Sequence, residues 1–149
     1  MGLRELLSEP ERRERVIDDC CTLVDDEVSK KKGLAAVIIR AGYKAVRGIK
    51  PGFIRHVVSS LLDEWIAALE PLWQRGLAEG RAPAEHLASD PSAVAEALLS
   101  VTDGRAAHAK NALVRATYQK LRSSAKEHVE AAVPGLAELL AKHTSHGLG

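Results

Sequence analysis

From Val16 onward apolar residues return every three or four positions, and the helix is the backbone that gathers such residues onto one face. Val16, Ile17, Cys20, Leu23, Val24 and Val28 form one stripe. Phe53, Ile54, Val57, Val58, Leu61, Leu62, Trp65, Ile66 and Leu69 form a second, and Leu136, Leu139 and Leu140 a third. The two-residue alternation of strands is almost absent. The pattern predicts an all-α protein, a single compact bundle of six or seven helices over residues 1–149. A chain of 149 residues buries roughly two-thirds of its unfolded surface without disulfides or metals. With only 3% aromatic residues, its core is expected to be Ala, Leu and Val.

Helix-breaking residues divide the stripes. Ser8, Pro10 and Glu11 read as N-cap, first-turn proline and capping-box partner of the first main helix, with Gly33 as its stop. The next helix, 34–47, is apolar over most of its circumference, which predicts a central position. Gly48 and Pro51 interrupt it; Pro71 is expected to end the helix begun at Phe53, with a short helix over 72–77. Gly76, Gly80, Pro83 and Asp90 place the main connection at 76–90. Asp90 and Pro91 then cap a helix that stops near Asp103 and Gly104. A longer one follows over 105–123, continues or bends through 125–132 and restarts at Pro134, and residues 144–149 fray.

Charge is segregated along this framework. No acidic residue lies between Glu27 and Asp63, where eight Lys and Arg fall, nor between Asp103 and Glu127, where six fall. The rest of the chain carries seven basic and twenty acidic residues, so the net charge of +1 is a near-cancellation. Such segregation serves either an anionic partner or charge-guided helix pairing. In the first reading Lys30, Lys31, Lys32, Arg40, Lys44, Arg47, Lys50, Arg115 and Arg122 bind an anionic surface or an acidic protein, assisted by Tyr43 and Tyr118. In the second, the three lysines oppose a helix dipole, while Arg40, Lys44 and Arg47 meet Glu14, Asp18, Asp25 and Asp26 on a neighbouring helix.

An offset of 75 residues lays Arg40-Ala41-Gly42-Tyr43 over Arg115-Ala116-Thr117-Tyr118 and Arg47 over Arg122. It predicts a duplicated three-helix unit, residues 8–70 and 83–143, packed as two pseudo-symmetric halves.

Chemical signatures are sparse. None of the six histidines follows a Glu at the spacing of a helical metal site, and His143-x-x-His146 falls in the expected frayed tail. Cys20 and Cys21 are adjacent, a poor geometry for a disulfide, and acidic neighbours disfavour a thiolate. Gly76-x3-Gly80 lacks the Lys-Ser/Thr of a phosphate loop. No catalytic residue, metal or cofactor is assigned. Near-neutral charge and few aromatics make nucleic acid a weak candidate, whereas the apolar face of 53–69 behind Lys50 and Arg55 leaves peripheral membrane contact open. The alternative function is a hydrophobic-ligand carrier with a cavity bordered by Val37, Ala41, Leu61 and Trp65. Homodimerisation is compatible with either.

Lys30-Lys31-Lys32-Gly33-Leu34, Ala41-Gly42-Tyr43-Lys44-Ala45-Val46, Lys50-Pro51, Ala68-Leu69-Glu70-Pro71-Leu72-Trp73 and the run from Ala97 to Arg105 with Tyr118 resemble a family of small bacterial all-helical proteins of uncharacterised function. The resemblance is nearly full-length and implies a bacterial cytosolic all-α protein. It supplies no catalytic or ligand site. A cytoplasmic location is also expected from the absence of a signal-like N-terminus and of an apolar run near the ~18 residues of a membrane span.

Overall fold

The computed structural model describes residues 2–145, apart from the side chains of residues 35, 123 and 145. It is all-α, with no strand among the described residues. The order is α1 (Leu3–Leu6), α2 (Pro10–Lys30), α3 (Gly33–Arg47), α4 (Phe53–Ala78), α5 (Pro83–Ala88), α6 (Pro91–Ala107) and α7 (Ala112–Ser145).

The two long helices, α4 and α7, organise the rest: each is packed by α1, α2, α3, α5 and α6. Among the described residues no Cα of α4 lies within 8 Å of a Cα of α7. Into the space between them reach the side chains of Val58, Leu62, Ile66 and Leu69 on one side and Val133, Leu139 and Leu140 on the other. Val16 and Ile17 of α2, Leu87 of α5 and Val94 of α6 complete the core.

Both long helices run through a proline. Pro71 lies inside α4, which absorbs the short helix expected after it, and Pro134 lies inside α7, which continues through it without a restart. An interior proline removes one backbone hydrogen bond and costs about 3 kcal/mol. The cost is offset here because the helix beyond each proline carries core residues: Trp73 and Gly76 after Pro71, Ala137, Leu139 and Leu140 after Pro134. Pro71 and Ala67, whose carbonyl has lost its donor, are both exposed, so water reaches the freed group.

Several boundaries also depart from expectation. The connection expected at 76–90 contains α5, whose His86 and Leu87 are buried. α6 runs past Gly104 to Ala107. The N-cap of α2 is Glu9 rather than Ser8, whose hydroxyl instead donates to the Glu5 carbonyl. Asp90 does cap α6, accepting from the Ala93 amide at 3.2 Å, with Pro91 in the first turn. α1 was not foreseen. Its free amides at Leu3 and Arg4 donate to the Glu70 carboxylate of α4 at 2.9 and 3.1 Å, which seats Leu3, Leu6 and Leu7 in the core. Thr144 and His143, expected to fray, are buried, and His143 Nε2 meets Asp19 at 2.6 Å. His146 lies outside the described residues.

α3 is the largest correction. It is not central but packs on the outside, mainly against α7. Gly42 makes the close approach: a Cβ there would stand 3.2 Å from Thr117 Cγ2 and 3.3 Å from Leu121 Cδ1. Gly52, with φ of 72°, then supplies the left-handed residue that turns the chain into α4.

Candidate functional site

The nine candidate basic residues divide into two groups. Arg40, Arg115 and Arg122 are committed within the bundle. Arg40 donates to the carbonyls of Ser29 and Lys31 at 2.9 and 2.7 Å, satisfying the end of α2. Arg115 donates to the Ala109 carbonyl just beyond α6. Arg122 grips Asp103 with two nitrogens at 2.7 and 3.1 Å. That fork, followed by the Tyr118 hydroxyl, holds the Asp103 carboxyl below its ordinary value of 3.8. Lys30 pairs with Glu27 at 3.4 Å in the last turn of α2.

Lys32, Lys44, Arg47 and Lys50 are exposed and form no ion pair among the described residues, and the Lys50 ammonium stands 5.9 Å over the Phe53 ring. Three of the four acidic residues expected to meet the α3 stripe are engaged otherwise: Glu14 and Asp18 take Arg55 of α4, and Asp25 accepts from Tyr43. Burial, then that bond, pushes the Tyr43 phenol up to about 12. Most of the second basic window is similarly absorbed: beside Arg115 and Arg122, Arg105 pairs with Glu64 and Lys126 with Glu96. Basic windows and acidic helices are thus partly a pairing code for the bundle.

The free cations border an apolar surface. Leu34 is 84% exposed, Val37 65% and Ile38 50%, and Ala41 and Ala45 extend the same face of α3. The opposite face, Ala36, Ile39, Gly42, Tyr43 and Val46, is buried or half-buried. Lys44, Arg47 and Arg40 lie along the edge between the two, as their 100° spacing requires. On α7, half-exposed Leu113 and exposed Ala116 and Lys120 lie beside Thr117, the residue Gly42 touches. The apolar circumference of 34–47 carries the signal for this face, and it marks surface that no neighbour covers rather than the central position it predicts.

A second feature was foreseen only in outline. A cavity of about 230 Å³ lies between α4 and α7, walled by residues such as Cys20, Leu62, Trp65, Leu99, Val133 and Leu136. Of its four expected borders only Trp65 lines it: Val37 and Ala41 face outward on α3, and Leu61 is buried elsewhere. An adjoining chamber of about 260 Å³ between α2, α3 and α7 shares Leu23, Val24, Val129 and Ala132 with it.

Catalytic groupings do not emerge. Among the described residues no three His, Cys, Asp or Glu side chains converge as metal ligands, and no helix is long and apolar enough to cross a membrane. Cys20 and Cys21 are unpaired thiols, and burial pushes that of Cys20 up to about 12, far from a reactive thiolate.

No curated protein and no solved structure matches the chain. The pattern of one protein family matches residues 3–144, from the first turn of α1 to the last turn of α7. The chain therefore belongs to the family of unknown function DUF6918.

Proposed function

We propose that this protein is a non-catalytic, cytoplasmic binding protein that docks on an anionic membrane surface through the outer face of α3. The observation that carries the reading is the exposed stripe of Leu34, Val37 and Ile38 with unpaired Lys32, Lys44, Arg47 and Lys50 around it. An interfacial helix has this composition: an apolar face entering the acyl boundary and flanking cations meeting lipid phosphates. Each such cation contributes about 1 kcal/mol near an anionic leaflet. No acidic residue between Glu27 and Asp63 opposes the approach.

Two other occupants fit less well. Pairing α3 with α3 of a second copy would bring the two sets of cations together. An acidic protein partner would need a groove to receive a convex ridge, whereas a fluid interface accommodates one without prior complementarity.

The test is co-sedimentation with vesicles of phosphatidylglycerol and of phosphatidylcholine. Binding to the first, weakened by salt and absent on the second, is expected. Changing Lys44, Arg47 and Lys50 to Gln together should weaken it about 100-fold with helicity unchanged. Failure to sediment with either vesicle overturns the reading, and retention on an acidic protein or heparin without vesicle binding would assign the face to a polyanionic macromolecule instead.

A further inference from the structure

The interior of the bundle holds polar groups that the protein itself leaves without partners. Trp65 Nε1, Trp73 Nε1 and His128 Nε2 are buried and make no hydrogen bond among the described residues, and Trp73 lines neither chamber. Trp65 lines the central cavity and His128 the adjoining chamber. Lys31, half-buried at the end of α2, lines that same chamber and forms no ion pair among the described residues. The other charged residue there, Glu27, is paired with Lys30. An unpartnered buried donor is costly and needs a ligand or a water to explain it.

The central cavity is otherwise apolar. Thr102, its one hydroxyl-bearing wall residue, is already committed to the Leu99 carbonyl and the Tyr118 hydroxyl at 3.1 and 2.9 Å. Apolar cavities of about 150 Å³ stay dry and accept hydrocarbon, and this one is about 230 Å³. The chambers meet along Leu23, Val24, Val129 and Ala132. Side by side, they offer hydrocarbon walls in the first and a cation and an imidazole in the second.

We infer that the bundle binds one single-chain amphiphile with an anionic head, its chain between α4 and α7 and its head held at Lys31 and His128. The ammonium of Lys31 supplies the charge-assisted bond, and His128 Nε2–H the second. Burial first, and then the neighbouring Lys31, lowers the His128 pKa from 6.5, so near neutral pH the ring is uncharged and has one N–H to give. Leu, Val and Ile side chains make up most of the central walls, which fits an unbranched alkyl chain. This site is separate from the outer face of α3, and either can hold without the other.

The experiment is calorimetric titration of the full-length protein with decanoate, methyl decanoate and decyl phosphate, all below micelle-forming concentration. Decanoate is expected to bind one to one, and the methyl ester about tenfold more weakly for want of the charged head. Whichever of the carboxylate and the phosphate binds tighter identifies the preferred head. Lys31→Glu should weaken decanoate about tenfold and leave the ester unchanged, and Ala132→Phe, filling the wall between the chambers, should abolish both. Should Ala132→Phe fail to fold, nuclear Overhauser contacts from labelled decanoate to Trp65 and Val129 in the wild type decide the matter. No saturable decanoate binding, equal affinity for acid and ester, or contacts only to Leu34 and Val37 would overturn the proposal.

Discussion

In the hairpin of α2 and α3, Tyr43 donates to Asp25 and Arg40 to the carbonyls of Ser29 and Lys31; in that of α6 and α7, Tyr118 donates to Asp103 and Arg115 to the carbonyl of Ala109. The Arg-Ala-x-Tyr segment thus acts twice in one way, the Arg closing the end of the preceding helix and the Tyr fastening its flank. The aspartates lie 18 and 15 residues ahead of their tyrosines, so the two hairpins are about one helical turn out of register. Their surroundings differ more. α7 continues for 34 residues and drives Val133, Ala137, Leu139 and Leu140 into the core. α3 ends after 15 at Gly48, and Lys50-Pro51-Gly52 starts α4 in a new direction, leaving Leu34, Val37 and Ile38 in solvent. The lesson is that a local fastening motif fixes a helix to its neighbour but not its depth in the fold. Depth is set by whether the chain breaks beyond it.

The largest way to sharpen this contrast is truncation. Leu140→Ala in buried α7 should cost about 2–5 kcal/mol in urea unfolding, while Leu34→Ala on α3 should stay within about 0.5 kcal/mol. Equal losses would mean that α3 is enclosed. Next comes the α3–α7 contact: Gly42→Leu pushes a side chain into Thr117 and Leu121 and should cost about 1–3 kcal/mol. Its counterpart is Gly104→Ala in α6, where a new methyl meets nothing within 4 Å. That substitution should raise stability by about 0.5–1 kcal/mol.

The fastening tyrosines come third. Tyr43→Phe and Tyr118→Phe should each lose about 1 kcal/mol; a neutral result in only one hairpin would break the equivalence of the two. The smallest effect is a pH dependence. The folded-state pKa of Asp103 is depressed, so its contribution is complete above 3.8 and is lost as the pH falls through the folded value. Melting temperatures between pH 5 and 2 should therefore fall less steeply in Asp103→Asn than in the wild type.

Much of the fold was legible in the residues themselves. The stripes of α2 and α4, the Asp90 cap of α6 and the break at Gly48 and Pro51 follow from local periodicity and backbone chemistry, which act within a few residues. Pro71 and Pro134 misled because proline's local penalty was outweighed by core contacts made farther along the same helices, and those contacts involve partners distant in sequence. α1 was missed because its N-terminal amides are capped by Glu70, more than sixty residues away. Of the candidate site, the basic residues were visible as a set, but not which of them the bundle would use.

The sequence by itself determined the all-helical class, the separation of charge and the presence of one helix apolar over most of its circumference, because these depend on composition and on the 3.6-residue repeat. Only the tertiary structure decided that Arg40, Arg115 and Arg122 are held by carbonyls and a carboxylate of the bundle while Lys44, Arg47 and Lys50 remain without such partners. It alone decided that α3 is peripheral and that α4 and α7 stand far enough apart to leave a cavity. The physical reason is common to all of these: burial and pairing belong to helices meeting in space, and the distances between their axes are set by the side chains of both partners together.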